Sequence, residues 1–211
     1  MRPPLRPDPA TLPGVDVREL GDPFARFALW WAEAVADPLV GEPAAMTLAS
    51  VDVDGRPSAR VVLLRAFDER GFVFYTNLES RKGRELLARP ACALCMHHQR
   101  HHRQVRIEGD AVVVDDVEAD AYFQTRPRDS RVSAWASDQS RPLGSEQLLE
   151  ERIAMFTARF GEGVIPRPPF WSGFRVVPRT IELWQEGPFR RHRRDCYVRT
   201  DGGWQRTLLF P

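Results

Sequence analysis

The sequence predicts a mainly β protein with flanking helices, an α+β fold whose strands close into a barrel. Short runs that alternate apolar and polar residues recur from residue 45 to the C-terminus, with turn residues between them. Runs with helical spacing stand before and between these segments. With 211 residues, of which 43% are hydrophobic and 28% charged, the chain can form one globular domain with a sizeable core. Many short strands with few helices are typical of a barrel with helices packed outside it.

The first helix follows a segment rich in Pro and Arg. Residues 1–20 are predicted to form a mobile arm, which leaves residues 21–211 as a single domain. Asp22 is a suitable helix N-cap, and Pro23 fits the first helical position. Trp30 and Trp31 are expected to pack in the core or in an interface. Apolar residues recur at helical spacing to about Asp37: Phe24, Phe27, Ala28, Trp31 and Val35.

The next elements are a hairpin, a third strand and a short helix. Residues 45–65 alternate around Asp54-Gly55, the commonest tight-turn dipeptide, so they are predicted to form a hairpin. A strand at 71–76 follows an Asp-Glu-Arg-Gly turn. Ser80 then begins a short helix over 81–89, which Pro90 ends.

The second half of the chain continues the pattern. Strands are predicted at 91–98, 103–115, 174–177, 181–184, 196–199 and 204–208. Helices are predicted at 117–124, 133–137 and 145–160, with TRPRDS (125–130) as a connecting segment. The last helix is amphipathic, with these residues on one face: Leu148, Leu149, Ile153, Phe156 and Phe160.

Composition excludes several classes of function. A net charge of only +1 argues against a domain-wide basic surface for nucleic acid. No apolar run approaches the ~20 residues that a membrane helix needs, and the N-terminus lacks the apolar segment of a signal peptide. Three cysteines make a poor disulfide framework. The sequence therefore predicts a cytoplasmic protein.

Basic and hydroxyl side chains concentrate between residues 60 and 82. The four cations are Arg60, Arg65, Arg81 and Lys82, and Tyr75, Thr76, Asn77 and Ser80 add hydroxyl and amide groups. A helix that opens behind a strand offers free backbone N–H groups and the positive end of its dipole, which suit a phosphate. Arg and Lys make such hydrogen bonds charge-assisted. From spacing alone, an ordinary hairpin with a solvated basic edge explains the segment equally well.

Histidines and cysteines cluster without a clear ligand pattern. His97, His98, His101 and His102 lie on a predicted turn with no nearby Cys or acidic partner, so a solvated hairpin tip is favoured over a metal site. Cys92 and Cys95 are three apart in a predicted strand and face opposite sides. They are interpreted as buried small residues rather than as metal ligands, and no metal is expected.

Two further basic segments could bind anions. TRPRDS places Arg126, Arg128 and Ser130 beside Tyr122, and it either caps a helix or binds a phosphate or carboxylate. FRRHRRD (189–195) is either a solvated face or an anion site at a strand end. In an extended strand, Arg190, His192 and Arg194 would share one face.

Several separate stretches together resemble the pyridoxamine 5′-phosphate oxidase family, flavoproteins with an FMN-binding split-barrel fold. These stretches are RVVLLR with FYTNLESRK, RQVRIEG, YFQTRPRDS with AWASDQS, FWSGFRV, and IELWQEGPFRRHRRD. They occur in the family's order from about Ala44 to the C-terminus. The resemblance implies a homodimeric split β-barrel with FMN at the dimer interface, so that each site draws on both chains.

The resemblance also implies roles for individual residues. The FMN site would comprise Arg60, Val61, Val62, Leu63, Leu64, Arg65, Tyr75, Thr76, Ser80, Arg81, Lys82, Gln104, Gln139, Ser140, Trp184 and Arg194. Arg81 and Lys82 would hold the FMN phosphate. Substrate would meet Arg65, Tyr122, Arg126, Ser130, Arg190 and His192, of which Arg190 and His192 would be the catalytic pair facing its ring.

The implied reaction converts pyridoxamine or pyridoxine 5′-phosphate to pyridoxal 5′-phosphate. Hydride leaves the carbon that bears the amine or alcohol, FMN accepts it, and O₂ becomes H₂O₂. The other functions considered are an FMN-dependent oxidase of another substrate, as in phenazine biosynthesis, and a non-catalytic flavin- or pyridoxal-phosphate-binding protein. A nucleic-acid module is disfavoured by the near-neutral charge.

Three departures from the family pattern bear on the substrate. Arg65 stands where the family usually has Lys, and these two side chains are not interchangeable. The N-terminal arm has arginines but no tyrosine. The chain ends in Leu-Leu-Phe-Pro, where the family commonly has Arg-Leu-X-Pro. None of these departures touches the inferred FMN phosphate contacts, whereas all three bear on the substrate. FMN binding is therefore a firmer expectation than oxidation of the vitamin.

Overall fold

A curled antiparallel sheet forms the body of the protein in the computed structural model, which describes residues 21–211. The predicted arm at residues 1–20 lies outside the described residues. The strands are β1 Ala45–Val51, β2 Pro57–Leu63, β3 Ala66–Asp68, β4 Gly71–Asn77, β5 Ala91–His98, β6 Arg103–Val113, β7 Trp171–Gln185, β8 Arg193–Thr200 and β9 Gly203–Leu208. The α-helices are α1 Pro23–Ala36, α2 Arg81–Ala88, α3 Asp116–Thr125, α4 Arg128–Ala136 and α5 Glu146–Phe160.

The sheet curls into a split barrel whose end strands do not pair with each other. Strands run in the order β2-β1-β5-β6-β7-β4-β3, and β8 and β9 branch from β7. The ends of this path are β2 and β3, which follow each other in the chain. Leu64 N extends the β1–β2 ladder by donating to Ala44 O, and Arg65 N extends the β3–β4 ladder by donating to Val73 O, both at 2.8 Å. β2 forms no ladder with β3 or β4, so the predicted barrel is confirmed in its split form.

The long strand β7 differs from the prediction of two strands at 174–177 and 181–184. Pro178 lies within it and cannot donate to a ladder. A register shift next to Gly109 on β6 creates a bulge there, and the strand continues without a break. As a result β7 pairs with β4 along its first half and with β8 along its second half.

The helix predicted at 133–137 begins earlier than expected. Pro127 precedes it with φ −51°, and Arg128 is its first residue. Proline fixes φ near the helical value, so the segment TRPRDS does not remain a loop. Its second half is the first turn of α4, which follows α3 almost directly.

The barrel interior is filled by large apolar side chains, and α1 closes one end. Asp22 caps α1 and Pro23 is its first residue, as predicted. Both Trp30 and Trp31 are 8% exposed, which confirms their place in the core. Burial of each such side chain stabilises the fold by about 1.5–3 kcal/mol. The central cluster includes Phe27, Met46, Leu48, Phe72, Phe74, Leu94, Ile107, Phe174, Ile181, Leu183 and Tyr197.

A second apolar cluster joins the helices α3–α5 to the start of β7. It contains Phe123, Val132, Ala136, Phe156, Ile165 and Trp171. This cluster holds α3 and α4 beside the C-terminal end of β4. Among the described residues, no helix is long and apolar enough to cross a membrane.

Candidate functional site

A cleft of about 610 Å³ opens where β2, β4, α3, α4 and the N-terminus of α2 meet. It brings together predicted site residues that are up to 78 positions apart in sequence (139 − 61). The predicted residues that line it are Val61, Val62, Leu63, Arg65, Tyr75, Thr76, Lys82, Tyr122, Arg126, Ser130 and Gln139.

One end of the cleft is the N-terminus of α2. The Ser80 hydroxyl caps this helix and accepts a hydrogen bond from Gly83 N at 3.2 Å. Lys82 Nζ lies 2.9 Å from Gln139 Oε1, and it lies 3.4 Å from both Thr76 Oγ1 and Ser80 Oγ. Burial lowers the pKa of Lys82, and the positive charge of the nearby Arg60 lowers it further. A phosphate here would meet a helix N-terminus and a partly desolvated ammonium group.

Two arginines flank this end and share one carboxylate. Glu85 Oε1 accepts from Arg81 Nε at 2.9 Å, and Glu85 Oε2 accepts from Arg60 Nη2 at 3.1 Å. Burial alone would raise the pKa of Glu85, but hydrogen bonds from Ser50, Ser58 and the two arginines lower it to about 2. The carboxylate is therefore ionised at neutral pH.

The other end of the cleft has an aromatic floor. The rings of Tyr75, Tyr122 and Trp171 are nearly parallel; Tyr75 and Trp171 are 5.4 Å apart at 6°. Gly173 leaves room for this stack, because a Cβ at that position would lie 2.8 Å from two carbons of the Tyr75 ring. Burial raises the pKa of Tyr75, so its phenol stays neutral.

Arg126 lies over this floor with hydrogen-bonding capacity unused. Its Cζ is 4.9 Å from the Trp171 ring centroid, a cation–π contact. Its Nη1 is buried and has no hydrogen-bond partner among the described residues. Burial lowers the pKa of Arg126, and Arg65 acts in the same direction. An anion would satisfy the buried donor and offset the cost of its desolvation.

The lining of the cleft thus fits a ligand that carries phosphate. Arg65, Lys82 and Arg126 are basic, and Asp129 is the acidic residue among the lining side chains. The cationic ends are separated by aromatic and small side chains that suit a planar ring. FMN with a phosphorylated substrate matches this arrangement.

A second group of predicted residues lies on the outer face of the sheet, away from the cleft lining. Gln104, Trp184 and Arg194 are register partners on β6, β7 and β8. The Trp184 and His192 rings are 4.7 Å apart. Arg194 binds Glu182 through Nε at 2.7 Å and Nη2 at 3.1 Å, which raises the pKa of Arg194.

The spacing between the two groups follows from the strand register. A cross-strand row runs from Val61 in the cleft through Thr47, Cys95 and Arg106 to Glu182. Four strand spacings correspond to about 19 Å along the sheet. The name second group is used here for Gln104, Trp184, His192 and Arg194. Along this face of the sheet, the second group is therefore far from the cleft of its own chain.

The prediction that Arg190, His192 and Arg194 share one strand face is wrong. Pro188–Arg190 is a 3₁₀ turn, and β8 begins only at Arg193. Phe189 and Arg190 have φ of 55° and 64°. Gly187 permits the turn, because a Cβ there would lie 2.1 Å from Arg191 O. The turn interrupts the alternation on which the prediction depended.

Other predicted residues also lie outside the cleft lining. Leu64 is 2% exposed and packs in the core, whereas Ser140 is exposed in a turn with φ 70°. Arg60 is not among the lining residues either, because its guanidinium is bound by Glu85 of α2 and by the Ser50 and Ser58 hydroxyls. The backbone of 60–65 still borders the cleft, through Val61 to Leu63 and Arg65.

The histidine segment includes a hairpin tip between β5 and β6, as predicted, but His98 belongs to β5 and is 8% exposed rather than solvated, and the tip does have acidic neighbours. His101 Nε2 lies 3.0 Å from Asp37 Oδ2, and His102 contacts Glu186. These carboxylates come from distant parts of the sequence, which is why local spacing missed them. Cys92 and Cys95 lie on one strand and are half-buried rather than fully buried. In the described part of the chain, no three His, Cys, Asp or Glu side chains are grouped to hold a metal ion.

Several lining residues were not assigned a role from the sequence. They are Asp129, Ser133, Ala134, Ser137 and Trp171. Asp129 lies inside TRPRDS, and Trp171 belongs to the FWSG stretch. The other three, Ser133, Ala134 and Ser137, lie on or directly after α4. They line the cleft only because the second apolar cluster packs α4 against it, which the local sequence does not show. Asn77, which also lines the cleft, was predicted only to add an amide group to the basic segment.

Comparisons with known proteins agree with this geometry. Residues 32–159 match the family profile described as pyridoxamine 5′-phosphate oxidase. Residues 171–211 match the profile described as the pyridoxine 5′-phosphate oxidase C-terminal dimerisation region. Curated relatives named pyridoxine/pyridoxamine 5′-phosphate oxidase include one from Rhodospirillum rubrum, 55% identical over 90% of this chain and 96% of its own. Another from Rhizobium meliloti is 51% identical over 93% of this chain and 96% of its own.

Solved structures extend the likeness to the fold. PhzG from Burkholderia lata 383, in complex with tetrahydrophenazine-1-carboxylic acid, has a TM-score of 0.87 at 31% identity and covers 95% of this chain and 98% of its own. An FMN-binding protein related to pyridoxamine 5′-phosphate oxidase from Nostoc punctiforme has a TM-score of 0.71 at 18% identity, over 90% of this chain and 98% of its own. The profiles and the curated relatives agree, and the chain belongs to the pyridoxamine 5′-phosphate oxidase family.

Proposed function

We propose that the chain is an FMN-dependent oxidase that converts pyridoxamine or pyridoxine 5′-phosphate to pyridoxal 5′-phosphate while O₂ is reduced to H₂O₂. The observation that carries this proposal is a single cleft with two cationic ends and an aromatic floor between them. One end suits the phosphate of FMN and the other the phosphate of the substrate. The curated relatives at 51–55% identity carry the corresponding name.

The end at α2 would hold the FMN phosphate. Lys82 Nζ and the N-terminus of α2 supply positive charge, and Thr76 and Ser80 supply hydroxyls within 3.4 Å of that ammonium group. Arg81 adds a second cation from the first helical turn. When bound, FMN supplies hydride acceptance and reaction with O₂; the protein supplies binding and orientation.

The end at α3 and α4 would hold the substrate phosphate. Arg126 has a buried, unpartnered Nη1, and Tyr122 and Ser130 line the same region of the cleft. A charge-assisted hydrogen bond to Arg126 would orient the substrate ring along the aromatic floor. Orientation of the reacting carbon is the main contribution expected from these side chains.

A homodimer would bring the second group to this cleft. On the outer face of the sheet, small residues lie next to the cleft, and Arg106 lies between them and Glu182; the small residues are Thr47, Ala49, Ala93 and Cys95. A two-fold axis through this face would place Trp184, His192 and Arg194 of each chain at the cleft of the other. Arg190 and His192 would then face the substrate, and Gln104, Trp184 and Arg194 the flavin, across the interface.

The alternative substrate is a phenazine precursor, and the observation that favours it is the fold match to PhzG at 31% identity. The higher identity of the vitamin oxidases and the presence of Tyr122, Arg126 and Ser130 favour a B6 vitamer. A non-catalytic flavin-binding protein is the remaining alternative. The cytoplasmic location stays a prediction.

The absorption spectrum of the purified protein, recorded before and after anaerobic addition of pyridoxamine 5′-phosphate, tests the proposal. We expect a yellow protein whose flavin bands bleach and return when air is admitted, with pyridoxal 5′-phosphate and peroxide as products. A colourless protein that does not take up FMN would overturn the cofactor assignment. A yellow protein that the vitamer does not bleach would overturn the substrate assignment alone.

A further inference from the structure

Glu85 is a buried carboxylate at the phosphate end of the cleft, and it contacts side chains from three elements. It lies on α2 and is 6% exposed. Ser50 on β1 and Ser58 on β2 are register partners, and their hydroxyls donate to Glu85 Oε2 at 2.6 and 2.7 Å. The carboxylate is thereby fixed to the sheet beneath the helix.

The same carboxylate orients the two arginines that flank the phosphate end. Oε1 accepts from Arg81 Nε, which leaves the two terminal nitrogens of Arg81 for a phosphate. Oε2 accepts from Arg60 Nη2, whose partner nitrogen Nη1 also donates to Ser50 Oγ at 2.5 Å. Arg81 is held by this carboxylate, and Arg60 is held by it together with Ser50, Ser58 and Leu48 O.

We propose that Glu85 is a positioning residue for the FMN phosphate, acting through Arg81 and Arg60 and not through contact with the cofactor. This inference rests on the proposed function, because it assumes that the phosphate end binds FMN. Riboflavin has the same ring and ribityl chain as FMN but no phosphate. A positioning role through the two arginines therefore predicts that Glu85 matters for FMN and not for riboflavin.

Two electrostatic effects oppose each other here. The negative charge of Glu85 repels a phosphate, so its removal could strengthen FMN binding. Without Glu85, however, Arg60 loses its counter-ion although its side chain is only 19% exposed, and Arg81 loses the contact that holds its Nε. Loss of one partner of a buried ion pair leaves an uncompensated charge, which is the larger effect. We therefore expect weaker binding.

The test is a comparison of FMN and riboflavin affinity in apo-protein, measured by quenching of flavin fluorescence. The variants are Glu85→Gln, which removes the charge with little change of shape, and Ser58→Ala, which removes one hydroxyl that holds the carboxylate. Glu79→Gln is the matched control. Glu79 precedes Ser80, is exposed, and makes no ion pair with the described residues, so its replacement removes a nearby charge without breaking an ion pair. Circular dichroism and thermal unfolding of each apo-protein report whether it is folded.

We expect Glu85→Gln to bind FMN at least about tenfold more weakly, and Ser58→Ala to show a smaller loss in the same direction. Riboflavin affinity should be unchanged in both, and Glu79→Gln should bind FMN as well as wild type or better. Equal losses for FMN and riboflavin would show a general structural role and overturn the inference, as would unchanged FMN affinity in folded Glu85→Gln. If wild type itself binds FMN no better than riboflavin, the proposed phosphate site fails, and the inference fails with it.

Discussion

The ring of Tyr75 lies 3.9 Å from the ring of Tyr122, and the two planes are within 8° of parallel. Tyr75 comes from β4, on the predicted cofactor side, and Tyr122 comes from α3, on the predicted substrate side. The stack therefore connects the two halves of the cleft. Substitution of one ring is expected to change the position of the other, because an aromatic pair of this kind contributes about 0.5–1.5 kcal/mol of interaction free energy beyond the burial of its surface.

Gly173→Ala tests the aromatic floor. The new Cβ would lie 2.8 Å from Tyr75 Cδ1 and Cε1 and 3.1 Å from Phe74 O, so the Tyr75 ring must move. We expect a loss of about 1–3 kcal/mol in the free energy of unfolding and a raised KM for the vitamer. Chemical denaturation and steady-state kinetics measure these effects. Gly202→Ala is the control, because nothing lies within 4 Å of its Cβ position; equal effects of the two substitutions would contradict the assignment.

Arg126→Ala tests the substrate end. Removal of this guanidinium takes away the buried donor proposed for the substrate phosphate. We expect kcat/KM to fall by at least about tenfold, mainly through KM, since a charge-assisted hydrogen bond is worth about 1.5–3 kcal/mol. The flavin spectrum should be unchanged. Arg141→Ala, in an exposed loop, is the control and should behave as wild type. Loss of bound FMN in Arg126→Ala would contradict the assignment of this end of the cleft to the substrate.

The double variant Arg81→Ala with Lys82→Ala tests the FMN phosphate contacts. Each side chain is expected to supply about 1.5–3 kcal/mol through charge-assisted hydrogen bonds, so FMN should dissociate on dilution or dialysis. Equilibrium titration of the apo-protein with FMN measures the loss. Arg89→Ala, at the other end of the same helix, keeps both cations and serves as the control. Full FMN affinity in the double variant would exclude this phosphate site.

Acid unfolding tests the Glu85 network. The pKa of Glu85 is lowered in the folded protein from 4.5 to about 2, so its contribution to stability is present above pH 4.5 and is lost as the pH falls toward 2. A shift of this size corresponds to about 3 kcal/mol. Glu85→Gln should therefore be less stable than wild type at pH 6, with the difference shrinking at pH 2.5. Denaturant unfolding of the apo-proteins at each pH measures it, and a difference that does not depend on pH would contradict this origin.

Mixed dimers test whether each site draws on both chains. Arg126→Ala damages the cleft and His192→Ala damages the second group. If the site is shared, a dimer with one chain of each kind has one intact site of two, so the purified mixed dimer should retain about half of wild-type activity. Differently tagged chains, co-expressed and purified as the mixed species, provide the measurement. If mixing restores no activity beyond that of the two single variants, both groups act within one chain.

The strand pattern and the start of α2 could be predicted because their signals are local. Alternation around Asp54-Gly55 predicted the first hairpin, and Ser80 caps α2 as its position indicated. The departures came from proline and glycine in tertiary context. Pro178 was accommodated at a bulge opposite Gly109, and Gly187 permitted a turn that moves Arg190 out of the strand.

Contacts between distant segments were beyond sequence reasoning. Glu85 carries no motif, and its importance follows only from the approach of Ser50, Ser58 and Arg60 on other elements. The carboxylate partners of His101 and His102 were missed for the same reason.

The length of β7 has a consequence for how such a dimer would work. Trp171 at its start lines the cleft and Gly173 leaves room for the Tyr75 ring, whereas Trp184 near its end would serve the cleft of the partner in the proposed homodimer. A displacement of the whole strand would therefore reach both clefts together. A displacement absorbed at the irregularity at Gly109 and Pro178, which lies between the two ends, would instead stay at one cleft.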